Sequence, residues 1–160
     1  MLIGNIQRWL STPSSMAYDP ALQKTLHDTM QKCFLQLVAE IRRLGATVVA
    51  ADFGTITICT GKHNLTAARD YAAFLIRTLS GRELFTWLRL TPVRHWHTLL
   101  YRDQWNYAGV QAVFAADEGA EEAEVAEAAE SYVDQWDIQH YLPLALQNTF
   151  RLIITEFVAA

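Results

Sequence analysis

The chain has 160 residues, of which 51% are hydrophobic, and a formal net charge of −4. The length predicts one domain with a single core. The sequence contains no run of eighteen apolar residues, so no membrane-spanning helix is predicted. Residues 1–102 carry twelve of the thirteen Lys and Arg but only six of the seventeen Asp and Glu. A basic face is therefore possible on the first part of the chain and is not expected on the acidic remainder.

A long helix is predicted to begin at Asp19 and Pro20. Asp is a preferred N-cap because its carboxylate accepts hydrogen bonds from the free N–H groups, and Pro suits the first helical position. Gly45 predicts the end of the helix, since glycine commonly follows the last helical turn. Apolar residues recur between these ends at three- and four-residue spacing, which predicts one wide buried face. They are Leu22, Leu26, Met30, Cys33, Phe34, Leu37, Val38, Ile41 and Leu44.

A β-hairpin is predicted directly after this helix. Two β-rich runs, residues 47–50 and 55–60, flank a corner that contains Asp52 and Gly54. Asp and Gly are common turn residues, so the pattern predicts an antiparallel hairpin with one carboxylate at its tip. The hairpin is expected to be the inner layer on which the helices pack.

The middle of the chain predicts a second helix and two further strands. Asn64 is expected to be the N-cap of a helix over residues 65–79, and Gly81 its stop. Alternating apolar residues and a high aromatic content predict short strands over residues 84–90 and 94–101.

The last third begins with a predicted turn at residues 106–109, Asn-Tyr-Ala-Gly. Residues 116–130 are mostly Ala and Glu, which predicts either a solvated helix or a mobile tether. Pro143 is expected to begin a last helix with one apolar face. That face consists of Leu146, Phe150, Ile153, Ile154 and Phe157.

Several short motifs match a known family. They are Trp9-Leu10, Tyr18-Asp19-Pro20-Ala21-Leu22, Phe34-Leu35-Gln36-Leu37, Arg43-Leu44-Gly45, Asp52-Phe53 and Tyr141-Leu142-Pro143. The order of the predicted elements resembles the palm of B-family DNA polymerases. The short motifs more narrowly resemble the non-catalytic C-terminal half of DNA polymerase epsilon catalytic subunits. The resemblance implies an α+β fold in three parts. The first part is a degenerate palm over residues 1–115, in which long helices pack on an antiparallel sheet with a central hairpin. An acidic Ala/Glu segment follows over residues 116–131. The start of a helical thumb-like part follows over residues 132–160.

The resemblance also implies that the catalytic carboxylates have been lost. Asp52 corresponds to the first aspartate of the polymerase hairpin motif and Gly54 to the second. Active polymerases use carboxylates here and on another strand to hold two Mg²⁺ ions, and glycine offers no ligand. Downstream, Gln104 and Trp105 stand where two lysines would contact primer phosphates, although Tyr107-Ala108-Gly109 remains. The segment is therefore expected to be no enzyme and to hold no cofactor.

Two other readings concern single side chains. Asp52 could hold one metal ion, but a turn-stabilising role is favoured because Asp is a common turn former. His95 and His97 could form a metal-binding pair on one side of a strand. No third ligand at a recognisable spacing accompanies them, so ordinary surface histidines are favoured.

Candidate nucleic-acid-binding residues are Arg94, Arg102, Tyr107 and Gly109. Arginines near aromatic residues could contact phosphates and stack on bases. The arginines are spread over several elements without a compact cluster, so scattered solvated side chains are the favoured interpretation.

The resemblance implies a scaffold that supports leading-strand DNA replication in the nucleus. Its expected partners are the active half of the same polymerase, the replicative helicase and accessory polymerase subunits. DNA is expected to bind weakly, and no membrane contact is expected. The alternatives are a module that binds nucleic acid without catalysis and a nucleotidyl transferase with a single-metal site.

Overall fold

The computed structural model describes residues 8–113 and 129–159. Residues 8–11 are helical, and three longer helices and five strands follow in the described ranges. The longer elements are α1 (Pro20–Arg43), β1 (Thr47–Ala51), β2 (Ile56–Cys59), α2 (Leu65–Ser80), β3 (His95–Asp103), β4 (Asn106–Val113), β5 (Ala129–Trp136) and α3 (Leu144–Ala159), with short 3₁₀ helices at Glu83–Phe85 and Asp137–Tyr141.

The chain divides into two compact units. Of the described residues, the first unit contains residues 8–59 and 77–88, and the second contains residues 60–76, 89–113 and 129–159. The predicted α+β class is confirmed, because both units combine helices with antiparallel strands. The hairpin β1–β2 forms a sheet of its own, and β3, β4 and β5 form another in that order. The expectation that the hairpin is the centre of one larger sheet is therefore wrong for the described residues.

The ends of α1 agree with the sequence prediction. Asp19 Oδ1 accepts hydrogen bonds from the backbone N–H groups of Ala21 and Leu22 at 2.9 and 3.0 Å. Gly45 has a φ of 99°, the left-handed conformation that favours glycine after a helix. The helix therefore begins and ends where local capping groups satisfy its free backbone groups.

The buried face of α1 is shorter than predicted. Leu37, Val38 and Ile41 are buried, whereas Leu22 and Leu26 near the helix start are exposed. A helix of 24 residues is about 36 Å long, but the five residues of β1 span only about 17 Å. The hairpin can therefore cover only part of the helix, and the apolar pattern continues beyond it.

The segment after α2 is not the predicted strand. The sequence predicts extended backbone over residues 84–90, but a 3₁₀ helix and a turn occupy this region. The Thr86 hydroxyl donates to the backbone carbonyls of Arg82 and Glu83 at 3.2 and 3.0 Å. These local bonds offer the backbone an alternative to strand pairing. The Phe85 side chain is buried and that of Trp87 is exposed.

The predicted turn at residues 106–109 is wrong, because these residues begin β4. Asp103 pairs with Asn106 in the register of β3 and β4, so the turn consists of Gln104 and Trp105. Asp103 Oδ1 accepts hydrogen bonds from the backbone N–H of Trp105 and from Asn106 Nδ2, both at 2.9 Å. The side chains of Asp103 and Asn106, one on each side of Gln104 and Trp105, therefore close the turn. Tyr107 and Gly109 belong to strand β4.

Strand β5 changes the interpretation of the acidic segment and of the thumb-like part. Residues 129–131, the end of the predicted Ala/Glu segment, and residues 132–136, the start of the predicted helical part, pair with β4 along its length. Backbone hydrogen bonding to β4 explains this extended conformation. Residues 116–128, the rest of the Ala/Glu segment, lie outside the described residues, and the three-part division stays a prediction.

Helix α3 packs on one face of the sheet β3–β4–β5. Its Ile154 and Val158 form a buried cluster with Ala108 and Trp136, and the rings of Trp136 and Phe150 meet edge to face at 5.7 Å. Helix and sheet are also joined by polar contacts. Arg151 donates to the carboxylate of Asp134 at 2.8 Å, and the Thr98 hydroxyl donates to the carbonyl of Val158 at 3.2 Å.

The predicted apolar face of α3 is only partly correct. Phe150 and Ile154 do contact the sheet, but Leu146, Ile153 and Phe157 are exposed. The buried face instead continues to Val158, which the prediction left out. Position 158 follows 150 and 154 at four-residue spacing, so the helix is rotated about its axis relative to the expectation.

Among the described residues, no helix is long and apolar enough to cross a membrane.

Candidate functional site

The tip of the β1–β2 hairpin is organised by the carboxylate of Asp52. Its Oδ1 accepts hydrogen bonds from the backbone N–H groups of Gly54 and Thr55 at 2.7 and 2.8 Å. The Asp52 N–H donates to the Thr55 carbonyl at 2.9 Å. The side chain therefore closes the turn between the two strands, which is the role favoured from the sequence.

Gly54 lies close to this carboxylate. A Cβ atom at position 54 would stand 3.3 Å from Asp52 Oδ1, closer than most side chains approach their neighbours. Position 54 is not among the described glycines with positive φ, so its backbone conformation does not demand glycine. What limits a larger residue here is the space beside the Asp52 carboxylate.

Phe53 attaches the hairpin tip to α1, which the sequence reasoning missed. Its ring centroid lies 5.6 Å from that of His27 and 5.2 Å from that of Phe34. The sequence feature that could have indicated this contact is an aromatic residue between the turn formers Asp52 and Gly54, where a polar residue is usual. Because aromatic pairs of this kind stabilise packing, the position of the tip depends on α1.

Replacing Asp52 by alanine is expected to lower the free energy of unfolding by about 1 kcal/mol, since two exposed hydrogen bonds to backbone N–H groups are lost. Urea unfolding followed by circular dichroism measures the change. The control is Asp28→Ala, which removes an exposed carboxylate from α1 and should change stability by less than about 0.5 kcal/mol. Equal stability of the Asp52→Ala variant and the unmodified chain would contradict the turn-closing role.

Two of the four predicted nucleic-acid-binding residues meet in the second unit. Arg94 Nη1 donates to the hydroxyl of Tyr107 at 3.3 Å. The Tyr107 ring stacks on Tyr101 with a centroid distance of 6.5 Å and meets Trp96 edge to face at 6.1 Å. We call Trp96, Tyr101 and Tyr107 the aromatic face. It lies opposite α3, because alternate residues of β4 point to opposite sides of the sheet and Ala108 packs toward α3.

Gly109 supports the aromatic face by being small. A Cβ atom at this position would lie 2.6 Å from the carbonyl oxygen of Thr98 and 2.7 Å from Cε3 of Trp96. Real Cβ atoms do not come this close, so the indole of Trp96 can lie over β4 only because position 109 has no side chain.

Arg102 belongs to a different place, an open cavity of about 410 Å³. The cavity lies beside the turn between β3 and β4. Its lining residues are Arg102, Asp103, Trp105, Asn106, Asp137, Ile138 and Tyr141. Arg94, Tyr107 and Gly109 are not among them, so the structure does not join the four predicted residues in one site.

Asp103 is held in its charged form. The hydrogen bond from the Asn106 side chain, followed by that from the Trp105 backbone, lowers the pKa of Asp103 below its ordinary value of 3.8, and the positive charge of Arg102 adds to this. These groups stabilise the carboxylate more than the neutral acid. The wall of the cavity therefore carries a negative charge at neutral pH.

This lowered pKa predicts an acid-dependent loss of stability. Because the folded chain binds the Asp103 proton less readily than the unfolded chain, the stabilisation is fully present above pH 3.8 and is lost as the pH falls through the lower folded pKa. Asp103→Asn is expected to lose less stability than the unmodified chain between about pH 5 and pH 2, measured by thermal unfolding. Asp70→Asn, on the exposed side of α2, is the control. Equal acid sensitivity of Asp103→Asn and the unmodified chain would contradict this role of Asp103.

The histidine pair lies at the start of β3. Burial, followed by the nearby positive charge of Arg69, lowers the pKa of His95, and the strand register is irregular around His97. Within residues 8–113 and 129–159, no three His, Cys, Asp or Glu side chains come together in a way that could hold a metal ion.

Comparison with known proteins gives consistent matches. Two DNA polymerase epsilon catalytic subunits of Arabidopsis thaliana are 38% and 36% identical to the chain, each over 157 residues and 98% of this chain. The DNA polymerase epsilon catalytic subunit of Schizosaccharomyces pombe is 34% identical over 160 residues, or 99% of this chain. The chain spans only 7% of the length of each of these curated relatives.

These similarities confirm the resemblance to DNA polymerase epsilon catalytic subunits that the sequence motifs indicated. A family match extends over residues 1–110, so it covers the first unit, α2, β3 and the first part of β4. The chain therefore belongs to the family described as "Domain of unknown function (DUF1744)".

Proposed function

We propose that this chain is a catalytically inactive scaffold segment from the C-terminal half of a DNA polymerase epsilon catalytic subunit, and that it serves leading-strand DNA replication in the nucleus. Similarity to such subunits over 98% of the chain supports the assignment to DNA replication. The observation that carries the loss of catalysis is the hydrogen bonding of Asp52, whose Oδ1 accepts from two backbone N–H groups of its own turn.

The chemistry of nucleotide transfer supports this reading of Asp52. Polymerases need two metal ions, held by several carboxylates, to orient the attacking oxygen and to neutralise the leaving group. At the hairpin tip one carboxylate is engaged in the turn, and Gly54 supplies no second one. We therefore propose that the segment uses no metal cofactor and that its palm-like hairpin has kept only a structural role.

Exposed apolar residues of α3 offer a surface for a scaffold. Leu146, Ile153 and Phe157 are exposed and lie on one side of the helix, at seven- and four-residue spacing. We call them the α3 strip. We propose that it contributes to contacts with the active half of the same polymerase, the replicative helicase or accessory polymerase subunits, since contiguous exposed apolar side chains mark interaction surfaces.

The scaffold role is tested by affinity capture. The immobilised chain is incubated separately with the purified active half, the replicative helicase and the accessory subunits, and at least one of them should be retained at physiological salt. Ile153→Glu combined with Phe157→Glu should abolish retention. Asn148→Glu places one negative charge on the opposite side of α3 and should leave retention intact. Retention of none of the purified partners would overturn the scaffold role.

The loss of catalysis is tested by primer extension with the purified chain and Mg²⁺ or Mn²⁺. No extension is expected, and neither metal ion should cause a site-specific perturbation of the Asp52 resonances in an NMR titration. Extension that disappears in an Asp52→Asn variant would overturn the proposal and favour the nucleotidyl transferase.

The aromatic face favours a second candidate, a module that binds single-stranded DNA without catalysis. Three half-buried aromatic rings beside an exposed arginine resemble the stacking surfaces on which such proteins bind successive bases. Fluorescence anisotropy of labelled oligothymidine should then show affinity that falls steeply with salt. Arg94→Ala should weaken binding more than Arg89→Ala, another exposed arginine of the second unit. Absence of binding at low salt would remove this candidate.

A further inference from the structure

The cavity beside the β3–β4 turn contains one tryptophan and one tyrosine ring that do not pack into a core. The Trp105 side chain is 55% exposed and that of Tyr141 is 89% exposed, and both line the cavity. Large aromatic side chains gain stability when buried, so two exposed rings beside one open cavity are available to a binding partner.

The cavity also carries more negative than positive charge. Asp103 and Asp137 line it together with Arg102. Hydrogen bonds from Asn106 and Trp105 lower the pKa of Asp103, so this carboxylate stays charged, and Arg102 partly compensates it. The excess is about one negative charge. A phosphate group would be repelled by this excess, whereas a cation would be attracted.

The walls of the cavity are fixed to one another by hydrogen bonds. The Asn106 side chain, which is 9% exposed, donates to Asp103 at 2.9 Å and accepts from the backbone N–H of Ile138 at 2.9 Å. The Asp137 N–H donates to the carbonyl of Trp105 at 3.2 Å. The backbone of the turn that carries Trp105 is thus tied to the 3₁₀ helix that carries Asp137 and Tyr141, and this pre-organised frame lowers the entropy lost on binding.

We propose that this cavity binds a cationic side chain, lysine or arginine, presented by a protein partner. The rings of Trp105 and Tyr141 attract the cation through their negatively charged faces, and the carboxylate of Asp137 neutralises it. The site would give the proposed scaffold a means of recognising a basic segment. It rests on the cavity alone and does not require the α3 strip or an inactive hairpin.

The test uses small probes of defined chemistry with the 160-residue chain. Nα-acetyl-lysine methylamide and Nα-acetyl-arginine methylamide, whose side chains keep their positive charge, are titrated while the indole N–H resonance of Trp105 is followed by NMR. That resonance is assigned through its loss in Trp105→Ala. A saturable shift with either cationic probe is expected. Tyr141→Ala and Asp137→Asn should each weaken binding about two- to five-fold.

Two controls separate a specific site from general effects. Trp87→Ala removes an exposed tryptophan outside the cavity and Asp70→Asn an exposed carboxylate outside it, and both should leave the titration unchanged. Backbone spectra show whether each variant is folded. Equal binding by Asp137→Asn and the unmodified chain would overturn the proposal, as would the absence of a saturable shift with either probe.

A further probe distinguishes a nucleotide from a basic side chain. Deoxyadenosine monophosphate offers a base that could stack on Trp105 or Tyr141 and a phosphate that could pair with Arg102. It should cause no saturable shift at the Trp105 indole. A shift with this nucleotide and none with the cationic probes would overturn the proposal. If none of the three probes causes a saturable shift but a protein partner is retained in the capture experiment, the cavity proposal is rejected and the scaffold role is kept.

Discussion

Replacing Gly109 by alanine is expected to destabilise the second unit by about 2–3 kcal/mol, the cost of forcing extra atoms into a packed site. The new methyl group would lie 2.6 Å from the Thr98 carbonyl oxygen. That oxygen belongs to the backbone of the neighbouring strand β3, so it cannot move without disturbing the sheet. The indole of Trp96, at 2.7 Å, would also have to leave its place over β4.

Urea unfolding followed by tryptophan fluorescence measures this effect, with Gly81→Ala as the matched control. A Cβ atom at position 81 would be 3.5 Å from the nearest backbone oxygen, an ordinary contact. This variant is expected to be neutral or slightly more stable, because alanine restricts the unfolded chain more than glycine does. If both variants unfold at the same urea concentration, the close approach of Trp96 and β4 is not needed for stability.

Ile153 and Ile154 on α3 are expected to differ strongly in how much each contributes to the free energy of unfolding. Ile154→Ala should lower the free energy of unfolding by about 2–4 kcal/mol, because it leaves a cavity in the core. The Ile154 side chain is 8% exposed and packs in the cluster with Ala108 and Trp136. Its neighbour Ile153 is 62% exposed, so Ile153→Ala should cost less than about 0.5 kcal/mol.

The two variants are compared by thermal unfolding monitored by circular dichroism. They remove the same atoms from the same helix, so helix propensity affects both alike. The difference between them therefore reports the packing of α3 on the sheet. Equal destabilisation by both would mean that α3 packs with a different side toward the sheet.

The candidate site could be predicted in part from the sequence. The role of Asp52 in its turn depends on backbone groups two and three residues away, and such local bonds follow from residue type and spacing. The contact between Arg94 and Tyr107 joins residues thirteen positions apart, and it required the register of β3 and β4. The cavity was not foreseen, because the Trp105 turn and the segment with Tyr141 are brought together only by β5 and the 3₁₀ helix after it.

The sequence by itself determined the local features of the fold. The N-cap at Asp19, the glycine at position 45, the β1–β2 hairpin and the start of α3 after Pro143 each depend on groups a few residues apart, so the side chains present specify them. Tertiary structure alone decided which neighbour on α3 is buried, that residues 106–109 continue a strand, and that residues 129–136 join the sheet. Burial and strand pairing need a partner distant in the chain, and a local pattern cannot identify that partner.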